Sequence, residues 1–178
     1  MEPEAHTADI ELISRITEFL NETGLECRQG TIPEATFLPG VEICHGTIIY
    51  DPEQLTYPGD LLHEAGHLAV LKPEHRLLAN GSENLSGDID AGAAEMAAIA
   101  WSWAAKEHLG ISAEILFHSG GYKEGSDNLI EAFSKCNQGG TIVGVPILQW
   151  LGMTRGLMRN QLPDEYTFPK MIHWLRQG

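Results

Sequence analysis

The run AGAAEMAAIAWSWAA, residues 91–105, carries a single ionisable side chain, Glu95. A helix that is apolar on nearly every side is normally buried, so the rest of the chain must pack around this segment. A lone carboxylate inside such a helix is costly unless a cation or a hydrogen-bonding partner meets it. Two answers present themselves: an ion pair with Lys72 or Arg76, or a metal shared with other side chains.

A second stretch bears on that choice. DLLHEAGHLAV, residues 60–70, holds His63 and His67 four positions apart, with Glu64 directly after the first. Helical spacing puts the two imidazoles on one face, about one turn apart. Two imidazoles so placed can hold one Zn2+ at about 2.0–2.1 Å each. Glu64 is displaced around the helix and flanks the metal, where it can take a proton from a water as general base. Composition alone would produce this HExxH pattern in about 3% of such chains. The apolar flanks Leu61, Leu62, Leu68, Val70 and Leu71 point to burial, and buried polar side chains need partners.

A catalytic zinc needs a third protein ligand and an open position. Position 71 is Leu and position 74 is Glu, and His75 lies beyond Pro73, where it reads as a surface histidine. Glu95 is the better third ligand. The small residues at 91–94, 97 and 98 suit two helices packed closely enough to share a metal. The expected site is therefore His63, His67 and Glu95 around Zn2+.

These residues resemble the zincins, and more narrowly the ImmA/IrrE family of metallopeptidases, in which a strand precedes an HExxH helix and a helix with E-x-x-A-x-x-F-A follows. Here GTIIYD precedes LLHEAGHLAV, and EMAAIAW supplies Glu95, Ala98 and Trp101. The likeness covers roughly residues 46–105; SWAAKEHLG stands where the family usually has LLMP. The resemblance implies His63, His67 and Glu95 as zinc ligands and Glu64 as base and proton shuttle. It also implies that the strand around Thr47 to Tyr50 pairs with an extended substrate.

Related enzymes usually add a His or Tyr that stabilises the oxyanion. His118 and Tyr122 are candidates, because FHSGGYKEGSDN has the glycine content of a mobile lid. The same text also reads as an ordinary surface loop with an exposed His and Tyr. Tyr50 and Tyr57 are alternatives. Trp101, Trp103, Trp150 and Trp174 read as core.

The 178 residues fit one domain, 1–178, and the net charge of −14 argues against nucleic acid or an anionic membrane as partner. Cys27, Cys44 and Cys136 form no CxxC pair and read as buried thiols in a reducing compartment. With no visible secretion signal, the expectation is a cytoplasmic protein acting on a peptide or protein substrate. Along the chain, residues 8–23 have helical periodicity closed by Gly24, two or three short antiparallel strands follow, and Pro73 stops the HExxH helix. Asp88 or Asp90 can cap a long helix ending at Gly110, and the aromatic C-terminus packs back on the body. The order suggests an α+β, zincin-like domain: a small antiparallel sheet with a mainly helical body. A catalytically silent zincin-fold binding protein is the second reading, and a helical interaction protein with an accidental motif the third.

Overall fold

The computed structural model describes residues 4–33, 36–122, 125–135, 142–155 and 165–178. Helix α1 (Glu4–Thr23) buries Ile13, Ile16, Phe19 and Leu20 of the stripe its periodicity marks, whereas Ile10, at the head of that stripe, is exposed. Asn21 ties it to strand β1 (Cys27–Gln29): its side-chain amide donates to the Cys27 carbonyl at 2.9 Å and accepts from the Cys27 N–H at 3.1 Å. Strands β2 (Val41–Cys44) and β3 (Thr47–Tyr50) form a hairpin. Its two turn residues, His45 and Gly46, both have positive φ, as a tight primed turn requires.

The fold is α+β, but the sheet is mixed rather than antiparallel. The strand order is β1-β3-β2, with β3 parallel to β1 and antiparallel to β2. The chain reverses direction twice between β1 and β3, so β3 runs alongside β1 when it inserts between the other two. This placement overturns one expectation. The strand at Thr47–Tyr50 is hydrogen-bonded on both sides and has no edge to offer a substrate. The edges belong to β1, where the Asn21 side chain occupies the Cys27 backbone groups, and to β2, partly closed by the Gly81 N–H, which donates to the Ile43 carbonyl at 2.7 Å.

Helix α2 (Asp60–Val70) lies between the sheet and α4 (Ala91–Leu109). Leu61, Leu62 and Leu68 are fully buried, each contributing about 1.5–3 kcal/mol relative to exposure. Asp90, not Asp88, caps α4: its Oδ1 accepts from the N–H groups of Gly92 and Ala93. From Ala97 to Lys106 α4 is buried almost all round, whereas its first turn and Met96 reach solvent. Pro73 ends the α2 segment as expected and opens the short turn α3 (Pro73–Arg76).

The second half adds short helices α5 (Ala113–Leu116), α6 (Ser119–Tyr122), α7 (Ser126–Ser134) and α8 (Val145–Trp150). Trp101 and Trp103 are buried and Trp174 partly so, but Trp150 is 72% exposed at the end of α8 and is not core. Cys27 is buried and Cys44 half-buried, both as free thiols; Cys136 lies outside the described residues.

The C-terminal segment returns to the body. Trp101 Nε1 donates to the Trp174 carbonyl at 2.8 Å, and the backbone N–H of Arg176 donates to Ala69 at 2.9 Å. Two arginines close the open end of α2. Arg76 donates to the carbonyls of Leu68, Leu71 and Arg176, and Arg176 grips both oxygens of Asp88 at 2.7 and 3.0 Å. Helix-end carbonyls lack partners of their own, and guanidinium groups also suit the negative end of the dipole. No helix among the described residues is long and apolar enough to cross a membrane.

Candidate metal centre

Helical spacing on α2 stacks His63 and His67 one turn apart, with ring planes 89° to each other and Nε2 atoms 3.2 Å apart. Glu95 reaches them from α4. What brings the helices together is Gly66, between the two histidines, seated against the backbone of Ala98. A methyl group at Gly66 would fall 2.5 Å from the Ala98 carbonyl oxygen. Ala98 lies three positions beyond Glu95, so the contact carries the carboxylate to the histidines.

Glu95 Oε2 lies 3.1 Å from His67 Nε2, and Oε1 lies 3.5 Å from His63 Nε2. One donor atom from each of the three residues falls within 4.8 Å of the others. Around four-coordinate Zn2+ with bonds of about 2.0–2.1 Å, neighbouring ligand atoms stand about 3.3–3.4 Å apart. The two Nε2 atoms are 3.2 Å apart and each meets a different oxygen of Glu95, at 3.5 and 3.1 Å, so two imidazoles and a carboxylate here could hold one such ion. The alternative partners for Glu95 are engaged elsewhere: Lys72 pairs with Asp88 at 3.2 Å, and Arg76 caps α2. Glu95 differs from expectation in being 47% exposed, because it lies where α4 emerges into a cleft.

The electrostatics suit ligation. Burial, and then the neighbouring His67, push the His63 imidazole down to about 4. The hydrogen bond with His67 holds the Glu95 carboxyl below its usual range, against the effect of burial. At neutral pH His63 is therefore neutral and Glu95 ionised, the states metal ligands require. Glu64 is half-buried, and burial, reinforced by the charges of Asp60 and Glu95, raises its carboxyl to about 7. A carboxylate poised there is matched to proton transfer near neutrality.

His63, Glu64, His67 and Glu95 all line a cleft of about 630 Å3. Its walls come from β2 (Val41, Glu42, Ile43), the stretch around Phe37, the Gly81–Ser86 loop, and Ala91 and Ala94 of α4. Phe37 stands 94% exposed at the rim. Among the described residues the lining contains no Lys or Arg. The loop wall was hidden in a sequence read only as a connection. Its signal was that residues 71–90 join two helices whose side chains must meet.

None of the four candidate oxyanion donors lines this cleft. His118 is buried behind the site. Its Nε2 contacts Asp60 Oδ1 at 2.8 Å, its Nδ1 accepts from the Gly121 N–H, and its ring stacks on Tyr57 at 3.7 Å. With both nitrogens engaged, His118 has no donor free for a substrate. Tyr122 places its hydroxyl 3.0 Å from His63 Nδ1, on the face of that ring turned away from Glu95. Tyr50 belongs to the central strand.

As far as Tyr122 the segment is the short helix α6, with Ser119, Gly120 and Gly121 exposed but His118 buried and Tyr122 half-buried, unlike a loop with an exposed His and Tyr; Lys123 and Glu124 lie outside the described residues. Its glycines serve close approach. A methyl group at Gly120 would fall 2.6 Å from the Tyr57 hydroxyl, and one at Gly121 would fall 2.9 Å from the His118 ring. His75 sits 3.9 Å from Asp88 and takes no part in the cluster. No family model, curated protein or solved structure matches this chain.

Proposed function

We propose that this chain is a zinc-dependent peptidase of the zincin type, most like the ImmA/IrrE metallopeptidases, that hydrolyses a peptide bond held in the cleft along β2. One observation carries the reading: two imidazoles from one helix and a carboxylate from another converge within reach of a single ion, with Glu64 beside them in the same cleft. His63, His67 and Glu95 would hold the ion. Zn2+ bound there supplies Lewis acidity toward a carbonyl oxygen and acidifies water. Glu64 takes the proton from the attacking water and passes it to the departing amine nitrogen. Its half-buried position beside two other carboxylates keeps its proton affinity high enough for both transfers.

The cleft also favours a class of substrate. Glu42, Glu64 and Glu95 line it without a Lys or Arg among the described residues, so nothing there holds a free terminal carboxylate. An internal bond in a neutral or cationic peptide fits this field, and acidic peptides are repelled. Phe37, Val41, Ile43 and Leu85 offer apolar contacts to the side chains beside that bond. The free thiols of Cys27 and Cys44 suit a cytoplasmic setting.

A second reading, a zincin-fold protein that binds without cleaving, is favoured by one observation: His118, Tyr122, Tyr50 and Tyr57 all lie off the cleft lining. The two readings separate experimentally. Wild type loaded with Zn2+ is assayed on a library of internally quenched peptides beside His63→Ala, Glu95→Ala and Glu64→Gln. The peptidase reading expects metal lost in the first two, and metal kept but cleavage abolished in the third. Cleavage surviving Glu64→Gln refutes the mechanism, and wild type that takes up no Zn2+ refutes the site.

A further inference from the structure

We propose that Tyr122 is a positioning residue: its phenol oxygen accepts the Nδ1–H of His63 and presets that ring with the Nε2 lone pair facing His67 and Glu95. The inference rests on the metal-centre reading for its consequence, but its geometry stands without an ion.

The tautomers follow from four distances. The Nε2 atoms of His63 and His67 face each other at 3.2 Å, too close for both to carry a hydrogen along that line. His67 Nε2 is the nearer to Glu95, at 3.1 Å against 3.5 Å, so the single proton belongs on His67 and points at the carboxylate. His63 then carries its proton on Nδ1, and Tyr122 Oη, 3.0 Å away, is its acceptor. The other end of His67 agrees. Its Nδ1 is buried with no hydrogen-bond partner among the described residues, an arrangement less costly for a bare lone pair than for an N–H.

Tyr122 is itself held fast. Its ring packs edge-on against Phe117 at 5.0 Å, and its backbone N–H donates to the His118 carbonyl. His118 in turn is fixed to Asp60, the first residue of α2, and to Tyr57 just before it. The hydroxyl is therefore positioned from the same helix that carries the histidines. Ligating histidines characteristically donate their second N–H to an outer partner, which sets tautomer and ring orientation. The two ligands are thus unequal: His63 is ready to bind, whereas His67 must give up its Nε2 proton.

The test uses the full chain, 15N-labelled and metal-free at about pH 8, where histidine is neutral. Long-range 1H–15N spectra should show His63 protonated on Nδ1 and His67 on Nε2. In Tyr122→Phe the ring contacts remain, so the metal-free chain should still fold, its melting temperature lowered only by the one lost hydrogen bond. The His63 signal should become a mixture of tautomers, and Zn2+ affinity measured against a competing chelator should fall about 10–100-fold. His63 protonated on Nε2 in wild type, or Tyr122→Phe binding Zn2+ as tightly as wild type, overturns the proposal. Wild type that shows the expected tautomers yet takes up no Zn2+ overturns the metal reading alone.

Discussion

The contact between Gly66 and Ala98 offers the sharpest test of how the site is assembled. In Gly66→Ala the new methyl group would sit 2.5 Å from the Ala98 carbonyl oxygen, 3.0 Å from its Cα and 3.1 Å from its carbonyl carbon. All three are backbone atoms of α4, so no side chain can swing aside. Ordinary contact begins near 3.4 Å, so the helices must separate or slide by about 0.9 Å. Better helix propensity returns up to about 1 kcal/mol, while overpacking costs about 1–3 kcal/mol. The net loss of up to about 2 kcal/mol lowers the melting temperature by roughly 2–4 °C per kcal/mol in a chain of this size.

The effect on the metal should be larger than the effect on the fold. His63 and His67 flank Gly66, and Glu95 lies one turn before Ala98, so the displacement is delivered straight to the ligand triangle. Coordination distances tolerate about 0.2 Å. Zn2+ affinity measured by chelator competition should therefore fall at least about tenfold, or 1.4 kcal/mol. Gly125→Ala is the control, because a methyl group there meets nothing within 4 Å. Wild-type zinc affinity and melting temperature in Gly66→Ala would refute the claim that this contact sets the spacing.

Four further outcomes follow from the same geometry. The acid limb of kcat/KM should lie at or below about 7, since Glu64 acts only when ionised and a bound dication can only lower it from there; a limb above 8 assigns the base elsewhere. The same raised carboxyl means that ionising Glu64 costs stability, so metal-free Glu64→Gln should melt several degrees higher than wild type at pH 8, with the gain gone by about pH 4.5. Asp88 has the opposite sign: hydrogen bonding to Arg176 depresses its carboxyl, so its contribution is complete above its ordinary value of 3.8 and is lost as pH falls below it. Asp88→Asn should cost about 1–2 kcal/mol at pH 7, and in thermal melts that cost should shrink progressively as pH is lowered below 3.8. Finally, Glu42→Lys should shift cleavage from cationic toward acidic peptides in a charge-varied substrate series, and an unchanged preference would remove Glu42 from substrate selection.

The site's three candidate ligands were legible because each rests on a local pattern. Four-residue spacing places His63 above His67, and Glu95 is conspicuous as the one charge in an apolar run. The Asp90 cap and the Gly110 stop are equally local, and both ends of α4 fall where those residues put them. Strand order is not local. Nothing within TIIY says that it becomes the middle strand while VEIC keeps an edge.

The SGGY turn misled for a related reason. Glycine permits mobility and close approach alike, and only the partners, here Tyr57 and His118, decide between them. Asp60 and His118 lie 58 positions apart, so their pairing could not be read from spacing. Tyr122 was marked for its hydroxyl, and it lies against Nδ1 of the candidate ligand His63 rather than in the cleft.

The arginine clasp at the end of α2 has a consequence for when the site comes into being. The Arg76 guanidinium meets a carbonyl 100 positions later in the chain, and Arg176 bonds back to Ala69 and Asp88. Closures across such distances are slow to form, because a long loop must first be brought together. Until then the helix bearing both imidazoles frays at its open end, and Glu95 has no fixed neighbour to meet. If the site takes a metal, firm capture would therefore be a property of the finished tertiary structure, and an ion held there would in turn draw the folding equilibrium toward completion.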